Sequence, residues 1–314
     1  MWELEREPAL PALARLRCAI VGAGRLGRAT VVGLREAGIQ VDGPLGRGAR
    51  CPNADVVILA VPDAEIANAA AAVERRPDGP IVGHCSGATT LDVLAPHEAF
   101  SLHPLMTVPA DGPSQLAGAS AAVAGSTPHA RGIAHQLALH LGLTPIDIAD
   151  EDRAAYHAAA SIASNFLITL EAAAERLAES AGVDRHALVP LVRATVENWA
   201  SLGPARALTG PIARGDEETV TRQRQAIRER APELVGLFDA LAEATRTLAV
   251  QSRTTAEGIE GGAAATAGQA EAGNADRAGG GEDARAPGDS PVCAPGWAGS
   301  DQTGPARHAV GAQA

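Results

Sequence analysis

Apolar runs of strand length alternate with stretches of helical periodicity through the first half of the chain. The run Cys18–Val21 ends at a glycine-rich turn, and Asp55–Val61 is almost continuously apolar, as in a strand buried on both faces. Between them, Arg25–Ala37 has helical spacing and is followed by Gly38. This alternation predicts an α/β fold with a doubly wound parallel sheet.

The same pattern continues to about residue 149. Further strands are predicted at Pro80–His84, Ala99–Leu102, Ala119–Ala124 and Thr144–Ile148, with helices at Asp63–Arg75, Thr89–Leu94 and Thr127–Gly142. Another strand begins at Ile39, and we expect it to end at Asp42 because Pro44 cannot donate to a strand ladder. Asp63 is suited to cap the helix that it begins.

The second half of the chain has only helical periodicity. Helices are predicted at 150–181, 184–202, 216–230 and 232–252, the first of them without Gly or Pro. From residue 254 the chain is rich in Ala, Gly and Pro and is predicted to be disordered. We therefore divide the chain into a leader at 1–16, a sheet domain at 17–149, a helical domain at 150–253 and a tail at 254–314.

The first predicted strand runs into the motif Gly22-Ala23-Gly24-Arg25-Leu26-Gly27. In a Rossmann-type dinucleotide site the first glycine permits the tight turn, the second admits the pyrophosphate, and the third lets helix and strand pack. Candidate cofactor-binding residues are Gly22, Gly24, Arg25, Leu26 and Gly27, with Val61 and Pro62 after the next buried strand. The alternative interpretation is an ordinary strand–helix turn.

The choice between NAD and NADP depends on the residue that would face the adenosine ribose. An acid there favours NAD, and arginine favours the 2′-phosphate of NADP. Asp42 lies 20 positions after Gly22 but falls within the predicted strand, whereas Arg47 and Arg50 follow its end. NADP is therefore favoured, with NAD as the less favoured cofactor.

The composition of the chain excludes some classes of catalytic group and disfavours some classes of ligand. All 26 basic residues are Arg, so lysine Schiff bases and lysine acids are excluded, and a net charge of −11 disfavours nucleic-acid binding. The four Cys have no metal-ligand spacing, and no metal site is predicted. Neither a membrane span nor a secretory signal is visible, which predicts a cytoplasmic protein.

Polar residues follow two strands that are expected to end at one edge of the sheet. These are His84 with Ser86, and His103. On the first helix of the second half, His157, Ser161, Ser164 and Asn165 fall within one stripe, with Ile162 and Phe166 beside it as a packing face. Thr209 and Arg214 lie in a glycine-punctuated segment between helices, where Arg214 could hold a carboxylate.

Together these residues resemble the family called domain of unknown function 2520. The motifs that carry the resemblance are Gly22–Gly27, Ala60–Asp63, His84–Ala88, Ser101–Leu105, Tyr156–Ala160, Ala163–Asn165 and Leu208–Asp216. Its layout is similar to that of 6-phosphogluconate dehydrogenase, pyrroline-5-carboxylate reductase and ketopantoate reductase. The resemblance implies a Rossmann domain followed by a helical domain of the 6-phosphogluconate dehydrogenase type, which closes over a small-molecule substrate and forms a homodimer.

The resemblance also implies hydride transfer between NADP(H) and a small carboxylated ketone or imine. Many enzymes of this layout have a catalytic Lys four residues before an Asn, and here that spacing gives Ser161 and Asn165. We therefore expect His157, or else His103, to supply the proton, with Asn165 assisting. His84, Ser86, Ser161, Thr209 and Arg214 are the candidate substrate-binding residues. The missing Lys favours the alternative function, a non-catalytic NADP(H)-binding sensor or scaffold.

Overall fold

The computed structural model describes residues 15–108 and 116–252. The predicted tail, and most of the predicted leader, lie outside the described residues. The strands are β1 (Arg17–Val21), β2 (Gln40–Leu45), β3 (Val56–Leu59), β4 (Ile81–His84), β5 (Ala99–Leu105), β6 (Ser120–Gly125) and β7 (Thr144–Asp147). Among the described residues they form one seven-stranded sheet in the order β2-β1-β3-β4-β5-β6-β7.

Helices cover the sheet and then make up the second half. They are α1 (Arg25–Glu36), α2 (Ile66–Ala72), α3 (Pro128–His140), α4 (Arg153–Ser161), α5 (Leu167–Glu179), α6 (Arg185–Leu202), α7 (Pro204–Ala207), α8 (Pro211–Arg214), α9 (Glu217–Arg230) and α10 (residues 235–252). The predicted fold class is confirmed: a Rossmann-type sheet is followed by a helical region. No described helix is both long and apolar enough to cross a membrane.

Two apolar cores lie on opposite faces of the sheet. Alternate residues of the same strand enter different cores: Ile58 of β3 packs with residues of α1 and α3, whereas Leu59 packs with residues of α2. Every residue of β3 is fully buried. The continuous apolar run that the sequence shows there is therefore explained by burial on both faces.

The sheet is not parallel throughout, which corrects one expectation. Strands β1 to β5 are parallel, but β6 pairs antiparallel with β5, and β7 runs parallel to β6. The short segment between β5 and β6 carries no crossover helix in its described residues, and an antiparallel pair needs none. The apolar content of a strand does not indicate whether it pairs parallel or antiparallel with its neighbour.

Two predicted strand ends are wrong, and both errors concern proline. Strand β2 continues to Leu45 through Pro44. This is possible because β2 is an edge strand, which pairs with a neighbouring strand on one side only, so a residue without an N–H is tolerated there. Strand β5 continues to Leu105 through Pro104, and its pairing with β4 ends at Ser101. Pro104 therefore needs no N–H for a ladder on that side, and His103 lies within β5 instead of after it.

The predicted helix at 150–181 is a continuous helical stretch of changing geometry. A 3₁₀ turn at Asp150–Asp152 leads into α4, and a π-helical turn at Ile162–Phe166 separates α4 from α5. The wider π turn changes the rotation per residue, so the stripe drawn with uniform α-helical spacing is only approximate. Ile162 and Phe166 do not pack within the described chain, since they are 61% and 56% exposed.

The described chain divides into two compact units. One extends to Asn198 and includes Glu218–Ala240, and the other contains Trp199–Glu217 and resumes at Leu241. The first unit joins the sheet to helices α4 and α5. Within it Arg224 and Asp239 form a bidentate ion pair with both N–O distances 2.7 Å. Within the second, Arg246 holds Glu217 at 2.8 Å.

The packing of Gly83 in β4 generates a stability prediction. A methyl group at Gly83 would lie 2.3 Å from the ring of Phe100, which is fully buried in the next strand. We expect Gly83→Ala to destabilise the protein by about 1–3 kcal/mol through overpacking. The measurement is urea unfolding of Gly83→Ala, of Phe100→Leu, and of the double variant, which should be more stable than the sum of the two single effects. Additive losses would contradict this packing.

Candidate active site

The glycine loop after β1 lies where the order of the strands reverses. The chain goes from β1 to β2 on one side and then returns to β3 on the other, so the carboxyl ends of β1 and β3 flank a switch point. Open α/β sheets bind ligands at such points. This places Gly22–Gly27 beside Val61 and Pro62, as the sequence predicts.

The three motif glycines have different surroundings. A Cβ on Gly22, whose φ is +118°, would lie 2.2 Å from the carbonyl oxygen of Ala60, and one on Gly27 would lie 2.0 Å from that of Gly22. These two glycines permit close backbone packing. A Cβ on Gly24 would meet no atom of the described residues within 4 Å. The space over Gly24 is therefore open toward the N-terminus of α1.

The N-terminus of α1 has the features of an anion site. Gly24 occupies the cap position without a side-chain cap, and the first turn contains no acidic residue. The first N–H groups of a helix have no intrahelical partner, and the helix dipole makes this end positive. The guanidinium of Arg25 donates to the carbonyl of Val108 at 2.9 Å, beside the same turn.

A cavity of about 270 Å³ adjoins the switch point. Its lining includes Val21, Arg47, Gly48, Val61, Pro62 and Glu65. Arg47 follows the end of β2 by two residues, whereas Arg50 forms an ion pair with Glu74 at 3.2 Å. Asp42 lies in the middle of β2 and pairs with Arg17 at 3.2 Å. Of the candidates for recognition of the adenosine ribose, Arg47 is the one that lines this cavity.

His84 at the end of β4 is a buried, hydrogen-bonded side chain. Its Nδ1 accepts from the backbone N–H of Ser86 at 3.2 Å, and its Nε2 faces the carbonyl oxygen of Thr90 at 3.4 Å. Burial, followed by the positive charge of Arg153, lowers the pKa of His84 to about 4. The imidazole is therefore neutral at pH 7, and its role in substrate binding stays a prediction.

The hydroxyl of Ser86 organises the loop after β4. It donates to Oδ2 of Asp63 at 2.8 Å and accepts from the backbone N–H of Thr89 at 3.0 Å and of Ala88 at 3.2 Å. The expectation that Asp63 caps a helix is wrong, because its carboxylate binds Ser86 and α2 begins only at Ile66. The neighbouring thiol of Cys85 is buried, which raises its pKa to about 12 and excludes a thiolate there.

Two predicted histidines meet over Gly87. The imidazole centroids of His103 and His157 are 6.2 Å apart, and a Cβ on Gly87 would lie 2.9 Å from Cε1 of His103 and 3.0 Å from Cδ2 of His157. Strand β5 and helix α4 thus bring two residues together that are far apart in the sequence. His157 is exposed and His103 is half-buried.

Sequence reasoning assigned no role to Tyr156 and Arg153 on α4. The hydroxyl of Tyr156 lies 2.8 Å from Nδ1 of His103. Arg153 is 1% exposed, and its guanidinium binds Asp150 and the hydroxyl of Ser101 in β5. The spacing of Asp150 and Arg153 by three residues is the only sequence signal that could have indicated this pair.

The remaining predicted site residues lie on the helical stretch after Asp150 and in the second unit. Ser161 is half-buried, and Asn165 is exposed in the π-helical turn. Thr209 and Arg214 lie in the second unit, where α8 carries Arg214 between Gly210 and Gly215. Their roles stay predictions. Within the described residues, no three His, Cys, Asp or Glu side chains are placed to hold a metal.

The fold and the glycine loop define the class as a Rossmann-type protein with an appended helical region. Residues 45–109 match the family model described as a Rossmann-like domain, and residues 119–245 match the domain of unknown function DUF2520. The chain therefore carries a Rossmann-like domain joined to a DUF2520 domain, which confirms the resemblance drawn from its motifs. No curated protein matches the chain.

Several solved structures share this fold. A candidate NADP oxidoreductase from Bacteroides fragilis has a TM-score of 0.64 at 18% identity, over 75% of this chain and 99% of that one. Protein TM1727 from Thermotoga maritima has a TM-score of 0.61 at 23% identity, over 75% and 99%. A reductive aminase from Aspergillus terreus, in complex with NADPH and ethyl levulinate, has a TM-score of 0.54 at 16% identity, over 74% and 94%.

Burial of His84 makes the stability of the protein depend on pH. Its folded pKa of about 4 lies below its ordinary value of 6.5, so the unfolded chain binds more protons between these values. The stabilisation is complete above pH 6.5 and is lost as the pH falls toward 4, by roughly 2 kcal/mol between pH 7.5 and 5. Urea unfolding at both pH values should show a smaller loss in His84→Gln than in the wild type or in the surface variant His140→Gln. An equal loss in all three would contradict a neutral buried His84.

Proposed function

We propose that the protein is an NADP-dependent oxidoreductase that transfers a hydride between NADP(H) and a small ketone or imine carrying a carboxylate. The observation that carries the proposal is the glycine loop at the switch point, with open space over Gly24 and an N-terminus of α1 that no side chain caps. These features fit the pyrophosphate of a dinucleotide. Two of the similar structures are named for NADP or contain NADPH, but at their low identity they support the fold alone.

The preference for NADP rests on Arg47. It follows β2 and lines the cavity beside Val61, where a 2′-phosphate would need a cation. Asp42, the residue that would favour NAD, is held by Arg17 in the middle of β2. A carboxylate at that position in the strand, with an arginine partner, is less suited to accept bonds from a ribose.

The reaction needs a proton as well as a hydride. The bound cofactor would supply the hydride. The chain would supply the proton from the cluster of His103 and His157 beside Gly87, and Gly87 itself leaves room for both rings. We propose that the substrate binds next to this cluster, at the carboxyl edge of β4 and β5.

The alternative function, a cofactor-binding sensor without turnover, is favoured by Ser161, which lies four residues before Asn165, where many enzymes of similar layout have Lys. Turnover distinguishes the two functions. NADPH oxidation against a panel of small ketoacids and cyclic imines supports the reductase, whereas binding without oxidation of NADPH by any of them supports the sensor.

Cofactor binding is tested by Gly24→Val. Because a Cβ at Gly24 would meet no atom of the described residues within 4 Å and the backbone there is extended, we expect the variant to fold as the wild type does. Its side chain would fill the space proposed for the pyrophosphate and weaken NADPH binding by roughly 100-fold, equal to about 2.7 kcal/mol.

NADPH fluorescence titration measures this affinity, and Gly236→Ala, at another glycine with open surroundings, is the matched control. We also expect the wild type to bind NADPH more tightly than NADH. Unchanged NADPH affinity in Gly24→Val, or no binding by the wild type, would contradict the proposed site.

We also propose that the protein forms a homodimer through its helical region. The π-helical turn and α5 expose Ile162, Phe166 and Ile168 by 56–69% of their surfaces, and α6 exposes Leu191 by 65%. Large apolar side chains exposed on these helices are typical of an interface.

The dimer is tested by Phe166→Glu, which would place an unpaired charge in the interface. We expect the wild type to sediment with twice the mass of the chain and Phe166→Glu to sediment as a monomer. Leu139→Glu changes an exposed apolar residue of α3 and should leave the dimer intact. A monomeric wild type, or a dimer that Phe166→Glu does not weaken, would contradict this interface.

A further inference from the structure

Tyr156 and His103 form a hydrogen-bonded pair that links α4 to β5. The phenolic oxygen lies 2.8 Å from Nδ1 of His103, and the two rings meet edge to face at 90° with centroids 5.6 Å apart. Both side chains are half-buried, so part of the surface of each remains exposed to solvent. Tyr156 is the only tyrosine in the chain.

Both members of the pair are uncharged at neutral pH. The charged or titratable groups that face His103 are Tyr156, His157 and Arg153 from the helical stretch, His84 from β4, and Asp63 after β3. Burial, then His157, lowers the pKa of His103 to about 4, although Asp63 acts in the opposite direction. Burial also raises the pKa of Tyr156. The pair therefore consists of a neutral imidazole and a neutral phenol.

We propose that Tyr156 is the catalytic acid that protonates the reduced substrate, and that His103 returns the proton to Tyr156. This inference rests on the proposed reductase function and assigns Tyr156, the hydrogen-bond partner of His103, as the group through which the proton of that cluster reaches the substrate. His103 carries its proton on Nδ1 and donates it to the phenolic oxygen, which leaves the phenolic O–H free to donate to the substrate.

The transfer balances without a charged imidazole. Bound NADPH would supply the hydride for the new C–H bond; the π bond of the substrate would break, and its oxygen or nitrogen would take the proton of Tyr156. The phenolate oxygen takes the Nδ1 proton of His103, while Nε2 of His103 takes a proton from a water molecule, whose hydroxide is released to the solvent and neutralised by the buffer. The imidazole of His103 changes from one neutral tautomer to the other. Its lowered pKa therefore does not hinder the proton transfer.

The surrounding structure fixes this pair in position. Arg153 lies one helical turn before Tyr156 and is bound to Ser101, two residues before His103 in β5. This hydrogen bond fixes the position of α4 along β5. Gly87 allows His103 to stay close to the loop after β4, since a methyl group there would press on Cε1 and Nδ1 of the imidazole. The bond between Arg153 and Ser101 and the absence of a side chain at Gly87 therefore both help to keep Tyr156 and His103 together.

The hydrogen bond can be tested without substrate, because a single tyrosine gives a single signal. Protein labelled with 3-fluorotyrosine should show one ¹⁹F resonance, which belongs to Tyr156. At pH 7.5 we expect His103→Gln to shift this resonance and His140→Gln, a change on the surface of α3, to leave it in place. A resonance that does not respond to His103→Gln would overturn the pairing.

The chemistry is tested with Tyr156→Phe, which keeps the ring and removes the hydroxyl. We expect kcat for NADPH oxidation to fall by about 100-fold or more with little change in KM, as for the loss of a general acid, while NADPH affinity and melting temperature stay the same. His140→Gln should retain the wild-type kcat. The wild-type kcat should vary little between about pH 5.5 and 8, because neither member of the pair titrates there.

The outcomes separate this inference from the proposed function. If NADPH binds and is oxidised but Tyr156→Phe keeps the wild-type kcat, Tyr156 is not the acid and the reductase stands. A rate that falls above pH 6–7 would show that an imidazolium donates the proton and would also overturn the inference. Absence of NADPH binding, or binding without turnover on any substrate of the panel, would overturn the reductase and this inference together.

Discussion

The buried guanidinium of Arg153 is the interaction on which the arrangement of the candidate site depends. It stands at the first turn of α4, is 1% exposed, and binds Asp150 on one side and Ser101 of β5 on the other. Removing an arginine from water costs several kcal/mol unless its hydrogen bonds are satisfied. The helix can therefore pack against the sheet only in a register that satisfies these bonds. That register brings Tyr156 to His103 and His157 to Gly87.

The same burial determines the electrostatics of the cluster. His84 and His103 lose hydration on folding, and a positive charge adds to this effect, that of Arg153 at His84 and those of His157 and then Arg153 at His103, so the pKa of each falls to about 4. Asp63 partly offsets this effect, and its carboxylate is itself engaged by Ser86. The site thus contains neutral imidazoles near neutral pH, which suits proton transfer through hydrogen bonds more than attraction of an anionic substrate. A carboxylate on the substrate would need another cation, and the chain has only arginines to offer.

The glycines of the molecule illustrate two separate constraints. Gly22 and Gly27 are required by close backbone packing, and Gly83 and Gly87 by the rings of Phe100, His103 and His157 that lie over them. Gly24 has no such neighbour. Gly24 lies at the positive end of α1, where the absence of a side chain leaves room for an anionic ligand.

The sequence alone determined the parts of this protein that depend on local patterns. Buried strands have apolar residues on both faces and the glycine turn has fixed spacing, so the fold class, the loop at Gly22–Gly27 and the positions of Val61 and Pro62 beside it could be predicted. The extent of β2 and β5 could not, because whether a proline interrupts a strand depends on which neighbour lies on its N–H side. The direction of β6 and the partner of Asp63 likewise depend on residues distant in the chain. The contact between Tyr156 and His103 is visible only in the tertiary structure, because residues that are 53 positions apart produce no periodic pattern in the sequence.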